Sequence, residues 1–315
     1  MFEYPTYQFN KYIRFDEKFI IVRGPRFSGK TWFIQDIPGK SNIYYIYIDM
    51  AGAIKARKKN LKVFQAIKKD LFGSRKFTIT NMEGLSISPY CKYFRCFFDE
   101  LENAERVIYI VLDHAELLRP WDHYRRLFKA VIDHYHNIRL VFVAGSTPML
   151  IERLGVNDPK APLFGRWERY IDFQYWDSHT TYEYVRSEIP QISDEEIFLL
   201  HDLTEGAAQL VMKYVEYRKM MTMDKAFAKL EDYVKKKVLA EMSNSEWGLR
   251  IIKAIAIDTV GGGYTSLKRI YERLPGYNKD NVKVMFYELL RYDIIENIGG
   301  NIRLKPRILS HIFIK

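Results

Sequence analysis

The sequence predicts an α/β core built on a mostly parallel sheet, then a small all-helical domain, then a C-terminal winged helix-turn-helix. Three observations carry this. Near-continuous apolar runs alternate with helical patterns through the first half of the chain, and strands apolar on both faces belong to a parallel sheet covered by helices. No strand-like run interrupts Ser178–Ser245. The last segment orders three helical stretches before two β-branched runs joined across Gly299-Gly300, which reads as a hairpin. The domains expected are therefore 1–177, 178–245 and 246–315.

The strands of the first domain are expected at Phe19–Arg23, Ile43–Asp49, Arg106–Asp113 and Ile138–Gly145, with a weaker fifth at Tyr170–Tyr175. Helical patterns fill the gaps at Lys30–Ile37, Leu61–Phe72, Pro89–Asn103, Trp121–His136 and Pro148–Leu154. The helical domain reads as Thr180–Val185, Asp194–Asp202, Ala207–Arg218 and Asp224–Met242, with Ser193 capping a first turn of acids. The winged helix reads as Trp247–Asp258, Ser266–Leu274 and Asp280–Tyr292, the last capped by Asn278, followed by Ile294–Ile298 and Ile302–Lys305.

Composition narrows the classes. At 315 residues, 48% hydrophobic and 28% charged, the chain can bury more than one core and is not predominantly disordered. Its longest apolar runs fall well short of the ~20 residues of a membrane span, so no membrane partner is expected. Met1–Asn10 lacks a basic stretch followed by an apolar block, so no secretory signal is expected. Two cysteines, Cys91 and Cys96, make neither a disulfide framework nor a zinc pattern, and a cytoplasmic setting follows. The formal net charge of +10 favours a polyanionic partner.

The chemistry starts at Gly24-Pro25-Arg26-Phe27-Ser28-Gly29-Lys30-Thr31, a G-x-x-x-x-G-K-T run placed between an apolar strand and a helix. In that context the loop amides curl around a β-phosphate, Lys30 supplies a cation to the β/γ oxygens, and the Thr31 hydroxyl ligates Mg²⁺. The expected cofactors are ATP or ADP with Mg²⁺. Asp113 ends an apolar strand and is the expected second metal ligand. A general base often follows that acid as Glu; here His114 follows, and the nearest Glu is Glu116. Ser146 and Thr147 end the next strand, where a hydroxyl can face the γ-phosphate or the attacking water. Thr147 before Pro148 also reads as a helix cap, and the two hydroxyls can divide these tasks. Arg166 precedes the fifth strand and can stabilise γ-phosphate charge in cis or from a neighbouring subunit, with Arg169 as its competitor.

Taken in order, GPRFSGKT, LDHAELL, VFVAGSTPML and PLFGRWERYIDF resemble the archaeal ATPase family, in the branch of P-loop ATPases near the AAA+ and STAND proteins. The resemblance spans about residues 15–315, because a helical lid and a C-terminal winged helix also belong to that architecture. It implies an AAA+-like core, with Lys30 and Thr31 as the Walker A pair and Asp113 as the Walker B acid. It further implies Ser146 at the sensor-1 position and Arg166 as the family's arginine. Two departures stand out: His114 replaces the usual Glu, which predicts slow unassisted hydrolysis, and Thr204–Ala208 replaces a Gly-Gly-x-Pro lid motif.

Two stretches could meet a polyanion. Lys55–Lys76 is dense in Lys and Arg against Asp70 alone, with apolar residues at helical spacing. In the winged helix, Lys279, Lys283, Arg303 and Lys305 suit the phosphates of duplex DNA, with the third helix in the major groove. The leading expectation is a Mg-ATP switch coupled to DNA. The rival is a nucleotide-holding scaffold whose winged helix contacts protein, with a homo-oligomer also compatible. A kinase reading lacks an acceptor-substrate motif.

Overall fold

The computed structural model describes residues 18–36, 44–50, 107–117, 121–166, 169–242 and 246–314. The cationic stretch Lys55–Lys76, the helices expected at Leu61–Phe72 and Pro89–Asn103, and both cysteines lie outside these residues. By contacts the chain divides into two units. One contains Glu3–Gly24 and Lys30–Phe173; the other contains Pro25–Gly29 and Gln174–Lys315. The helical segment and the C-terminal module, read from sequence as separate domains, thus share one unit.

The first unit is a five-stranded parallel sheet. Its strands are β1 (Phe19–Arg23), β2 (Tyr44–Asp49), β3 (Ile108–Asp113), β4 (Ile138–Val143) and β5 (Arg169–Asp172), in spatial order β2-β3-β4-β1-β5. Every residue of β3 and β4 is buried, which is why these stretches read as unbroken apolar runs rather than alternating ones. The register aligns the ends that matter. Val22 pairs with Val143 and with Ile171, and Leu112 pairs with Phe142. The exits of β1, β3 and β4 therefore share one edge of the sheet.

Helices α1 (Lys30–Asp36), α2 (Trp121–His134) and α3 (Thr147–Leu154) belong to this unit. On α2, Tyr124, Phe128, Val131 and Ile132 recur at helical spacing and enter the core. Phe142 of β4 centres it, with Phe19 and Phe128 packed edge-on at ring-centroid distances of 5.0 and 4.8 Å. Each such side chain stabilises the fold by about 1.5–3 kcal/mol through burial. Helix α3 closes on Gly155, at φ 69°, where an added Cβ would lie 2.6 Å from Ala161 Cβ.

In the second unit, α4 (Ser178–Glu188), α5 (Asp194–Thr204), α6 (Ala208–Arg218) and α7 (Met223–Glu241) follow without a strand. Ser193 caps α5 by accepting the Glu196 amide at 3.2 Å. The buried Glu196 carboxylate takes the Arg218 guanidinium at 2.7 Å and the Tyr214 hydroxyl at 2.5 Å. Next come α8 (Glu246–Thr259), α9 (Leu267–Arg273), α10 (Lys279–Arg291), the antiparallel pair β6 (Ile295–Ile298) and β7 (Asn301–Leu304), and α11 (Ile308–Ile314). Gly299 and Gly300 both have positive φ, as a two-residue type I′ turn requires. Asn278 caps α10 by accepting the Asp280 amide at 2.8 Å. Helix α11, unforeseen in the sequence, packs on α8 and bonds it through Ser310 Oγ and Thr259 Oγ1 at 2.8 Å. Among the described residues no helix is long and apolar enough to cross a membrane.

Candidate nucleotide site

The G-x-x-x-x-G-K-T run leaves β1 at Gly24 and enters α1 at Lys30. Gly24 has φ 153°, and a Cβ there would lie 2.5 Å from the Phe173 carbonyl oxygen, so only glycine fits. Phe27 (φ 62°) and Gly29 (φ 90°) turn the backbone left-handed on either side of the buried Ser28. Alternating hands turn successive N–H groups inward, forming a concavity that suits phosphate oxygens. Lys30 is 5% exposed, and its ammonium donates to the Gly24 carbonyl at 2.9 Å. The lysine expected at the phosphates is thus held against the loop's first residue.

Asp113 ends β3 and is wholly buried. Its Oδ2 accepts the Tyr47 hydroxyl at 2.7 Å and its Oδ1 accepts the His114 amide at 2.9 Å. His114 is itself left-handed, at φ 53°, with Nδ1 3.7 Å from Asp113 Oδ1. Among the described residues no three His, Cys, Asp or Glu side chains gather into a metal cluster. This donor set fits Mg²⁺, which takes one or two protein oxygens and fills its octahedron with water and phosphate oxygens. Asp113 and Thr31 are the residues that would hold it.

At the end of β4 the two hydroxyls have different partners. Ser146, expected at the γ-phosphate, caps α3: its Oγ accepts the Met149 amide at 3.4 Å. Thr147, expected as the cap, reaches the phosphate loop: its Oγ1 accepts the Gly24 amide at 3.0 Å and donates to the Gly24 carbonyl at 3.1 Å. β4 lies beside β1, so the first helical residue after β4 meets the first loop residue after β1.

Sequence reading gave Glu116 only a passing place. It follows Asp113 in a short 3₁₀ turn, Ala115–Leu117, and is 7% exposed. Its Oε1 accepts the Gly145 amide at 3.1 Å, tying the exit of β3 to that of β4. Burial pushes its carboxyl above the usual carboxylate range, against the opposing pull of His114. The signal was available: an acid three residues beyond the strand-end Asp, behind a single turn.

Arg166 is not brought to this edge. It lies upstream of β5, and its Nε donates to Asp133 Oδ1 at 3.1 Å near the end of α2, just before β4 begins. That is the edge where the strands start. A parallel sheet separates it from the exits by the length of its strands, about 13 Å for the four residues of β5. Of the two alternatives left open for Arg166, cis or from a neighbouring subunit, this pairing with Asp133 gives the first no support within one chain. Arg169, its competitor, is the first residue of β5 and lies at the same starting edge.

Within the second unit, the loop's middle is held from three directions. The Arg26 amide donates to Asp293 Oδ2 at 2.7 Å, and its guanidinium donates to the Tyr292 carbonyl at 2.8 Å, both just past α10. The Tyr175 hydroxyl donates to the Arg26 carbonyl at 2.9 Å. Burial, with the nearby acids Asp293 and Glu205, raises the Tyr175 phenol well above its ordinary pKa, so it stays a proton donor. The Gln209 backbone amide, at the start of α6, donates to the Phe27 carbonyl at 2.9 Å. The segment that departs from the lid motif therefore leads directly into a contact with the loop. Gly206 in it is obligatory: a Cβ there would lie 1.8 Å from the Trp176 carbonyl oxygen.

The four cations expected on DNA separate into two pairs. Lys279 and Lys283 are exposed on α10. Arg303 is instead engaged with Glu296 and Glu205, and Lys305 Nζ lies 3.1 Å from Glu296 Oε2. These two hairpin cations are thus paired with acids of the same chain.

No protein-family model matches the sequence, and no curated protein does. Among solved structures, the chain is similar to the Walker-type ATPase PABY2304 of Pyrococcus abyssi, with a TM-score of 0.77 at 16% identity, over 98% of this chain and 94% of that one. It is also similar to the Orc1 protein of Aeropyrum pernix in complex with DNA, at TM-score 0.48 and 16% identity, over 94% of this chain and 86% of that one. The Thermotoga maritima RuvB branch-migration motor matches at TM-score 0.45 and 15% identity, over 94% and 87%. The last two TM-scores are too low to bear on the fold. The first, together with the sheet order, shows that the chain shares the fold of that Walker-type ATPase.

Proposed function

We propose that the chain is a Mg-ATP-dependent switch that binds and slowly hydrolyses ATP and couples its nucleotide state to a C-terminal winged helix bound to duplex DNA. The observation that carries this reading is the bond from the Arg26 amide to Asp293 Oδ2. A carboxylate at the root of the hairpin shares the phosphate loop's own donors, so a phosphate that draws those donors inward competes directly with the winged helix for them. Asp113 and Thr31 hold Mg²⁺ in this reading, and Lys30 neutralises the β/γ oxygens. Arg166 serves, if a second copy assembles against the site, from that copy.

The test is DNA affinity measured in ADP and in a non-hydrolysable ATP analogue. The two affinities should differ in the wild type and converge in Asp293→Gly, which keeps the left-handed backbone and removes the acceptor. Equal affinities in the wild type defeat the coupling. Lys30→Ala should weaken ATP binding about 10- to 100-fold through loss of charge-assisted bonds; binding at wild-type strength defeats the phosphate site.

A second reading is favoured by a separate observation. Val284 and Tyr287 on the outer face of α10 are 61% and 52% exposed, and Ile298 near the hairpin turn is 60% exposed. With Arg303 and Lys305 neutralised, that face suits an apolar protein partner, and the chain then acts as a nucleotide-holding scaffold.

A further inference from the structure

We infer that Glu116 is the general base that activates the attacking water for ATP hydrolysis, the task that the resemblance assigns to the position held here by His114. The inference rests on the ATPase reading above and names the residue that performs its chemical step.

Four observations place the base at Glu116. It stands at the sheet edge where Asp113 and Gly145 leave their strands, in the turn that directly follows the metal acid. One carboxylate oxygen is fixed, because Oε1 accepts the Gly145 amide at 3.1 Å. The turn is fixed as well, because Arg153 Nη1 donates to the Glu116 carbonyl at 2.6 Å. The other oxygen, Oε2, is buried with no hydrogen-bond partner among the described residues. An unsatisfied buried acceptor costs about 1–3 kcal/mol, and a native fold that keeps one calls for an explanation. A carboxylate with one oxygen anchored and the other reserved for a reactant supplies it.

His114 is arranged differently. Its amide is committed to Asp113 Oδ1, its Nδ1 lies 3.7 Å from that same oxygen, and its side chain is about a third exposed rather than buried. Burial also suits Glu116 to the task, since a base shielded from bulk water exchanges its proton with a bound reactant rather than with solvent.

The step balances within the reaction. Oε2 takes a proton from water as the water oxygen bonds to the γ-phosphorus. The bond from that phosphorus to the β–γ bridging oxygen breaks, and its electron pair leaves on ADP. The proton then passes from Glu116 to the phosphate product.

The experiment uses the full chain with Mg²⁺ and compares Glu116→Gln, His114→Asn and the wild type. It reads the affinity for a fluorescent ATP analogue, single-turnover hydrolysis, and the pH profile of that turnover. Glu116→Gln keeps the acceptor for the Gly145 amide and cannot take a proton. It should bind ATP within about twofold of the wild type, retain intact ATP on the protein, and hydrolyse it about 10²–10⁴-fold more slowly, the range expected of a general base. The acid limb of the wild-type profile should vanish in Glu116→Gln and persist in His114→Asn. Hydrolysis by Glu116→Gln at the wild-type rate overturns the inference, as does an acid limb that persists in Glu116→Gln and vanishes in His114→Asn. A wild type that binds ATP and never hydrolyses it overturns it too. A wild type that binds no ATP defeats the nucleotide reading beneath it, an outcome told apart from the others by the binding arm.

Discussion

The Thr147 hydroxyl bonds both polar backbone groups of Gly24, accepting from its amide at 3.0 Å and donating to its carbonyl at 3.1 Å. The Gly24 carbonyl also accepts the Lys30 ammonium. One side chain beyond β4 therefore fixes the residue against which the phosphate lysine is held.

Thr147→Val keeps the shape and removes both bonds. Leaving this half-buried amide unsatisfied costs up to about 1–3 kcal/mol, and the loop that frays is the one proposed to receive phosphate. ATP affinity should fall about tenfold, and Thr147→Ser should restore it. Calorimetric titration of both variants checks this; unchanged affinity in Thr147→Val would show that Gly24 is held adequately by the rest of the loop.

The contrast between Thr147 and Ser146 also shows where sequence reading stops. The phosphate loop and Asp113 were legible because their signals are local: a glycine-lysine spacing after an apolar run, and an acid at the end of another. The choice between the two hydroxyls depended on β4 lying next to β1, and strand order is not written in spacing. The edge at which Arg166 lies was hidden for a related reason, since it follows from strand direction and from its partner Asp133. The ion pairs of Arg303 and Lys305 could not be read from spacing because the acids that engage them lie across a hairpin and, for Glu205, 98 residues upstream. Helix α11 was missed because seven apolar-rich residues after Pro306 are too few to show a period.

Arg166 gives a prediction from its place at the far edge. Arg166→Ala should leave ATP affinity within about twofold, because within one chain the guanidinium pairs with Asp133 and reaches no phosphate. Loss of that half-exposed pair should lower stability by no more than about 1 kcal/mol. Turnover should fall only at protein concentrations where the chain self-associates. Calorimetry and concentration-dependent kinetics separate these; a large loss of ATP affinity in dilute protein would place the arginine at its own site.

Glu116 makes stability depend on pH with a definite sign. Burial raises its pKa above the unfolded value, so the folded chain holds that proton more tightly than the unfolded chain. Folding is then disfavoured increasingly as pH rises through the interval between the unfolded value, about 4.3, and the higher folded one. Glu116→Gln removes this liability. Its melting temperature should exceed the wild type's at pH 8 and approach it near pH 4, as followed by circular dichroism across that range. A variant less stable than the wild type at pH 8 would mean that the carboxylate's charge is compensated in the fold.

The DNA reading stands or falls on which cations of the C-terminal module face solvent. Lys279 and Lys283 are exposed on α10, whereas Arg303 and Lys305 are paired with Glu296, and Arg303 with Glu205 as well. Phosphate contacts release condensed counterions, so log K falls with log salt by about 0.9 for each phosphate neutralised. Replacing Lys279 and Lys283 with Ala should therefore weaken binding to any duplex and flatten the salt slope by about two such units. Replacing Arg303 and Lys305 should act differently. It leaves Glu296 and Glu205 without their cations, which should lower stability by about 1–3 kcal/mol while changing the slope little. Fluorescence anisotropy with two unrelated duplexes, measured across a salt series and alongside thermal unfolding, reads both quantities at once. A slope flattened only by the wing substitutions would mean that DNA opens those ion pairs. A chain that binds no duplex at low salt, yet loses a protein partner on Tyr287→Ser, would hand the outer face of α10 to the scaffold reading.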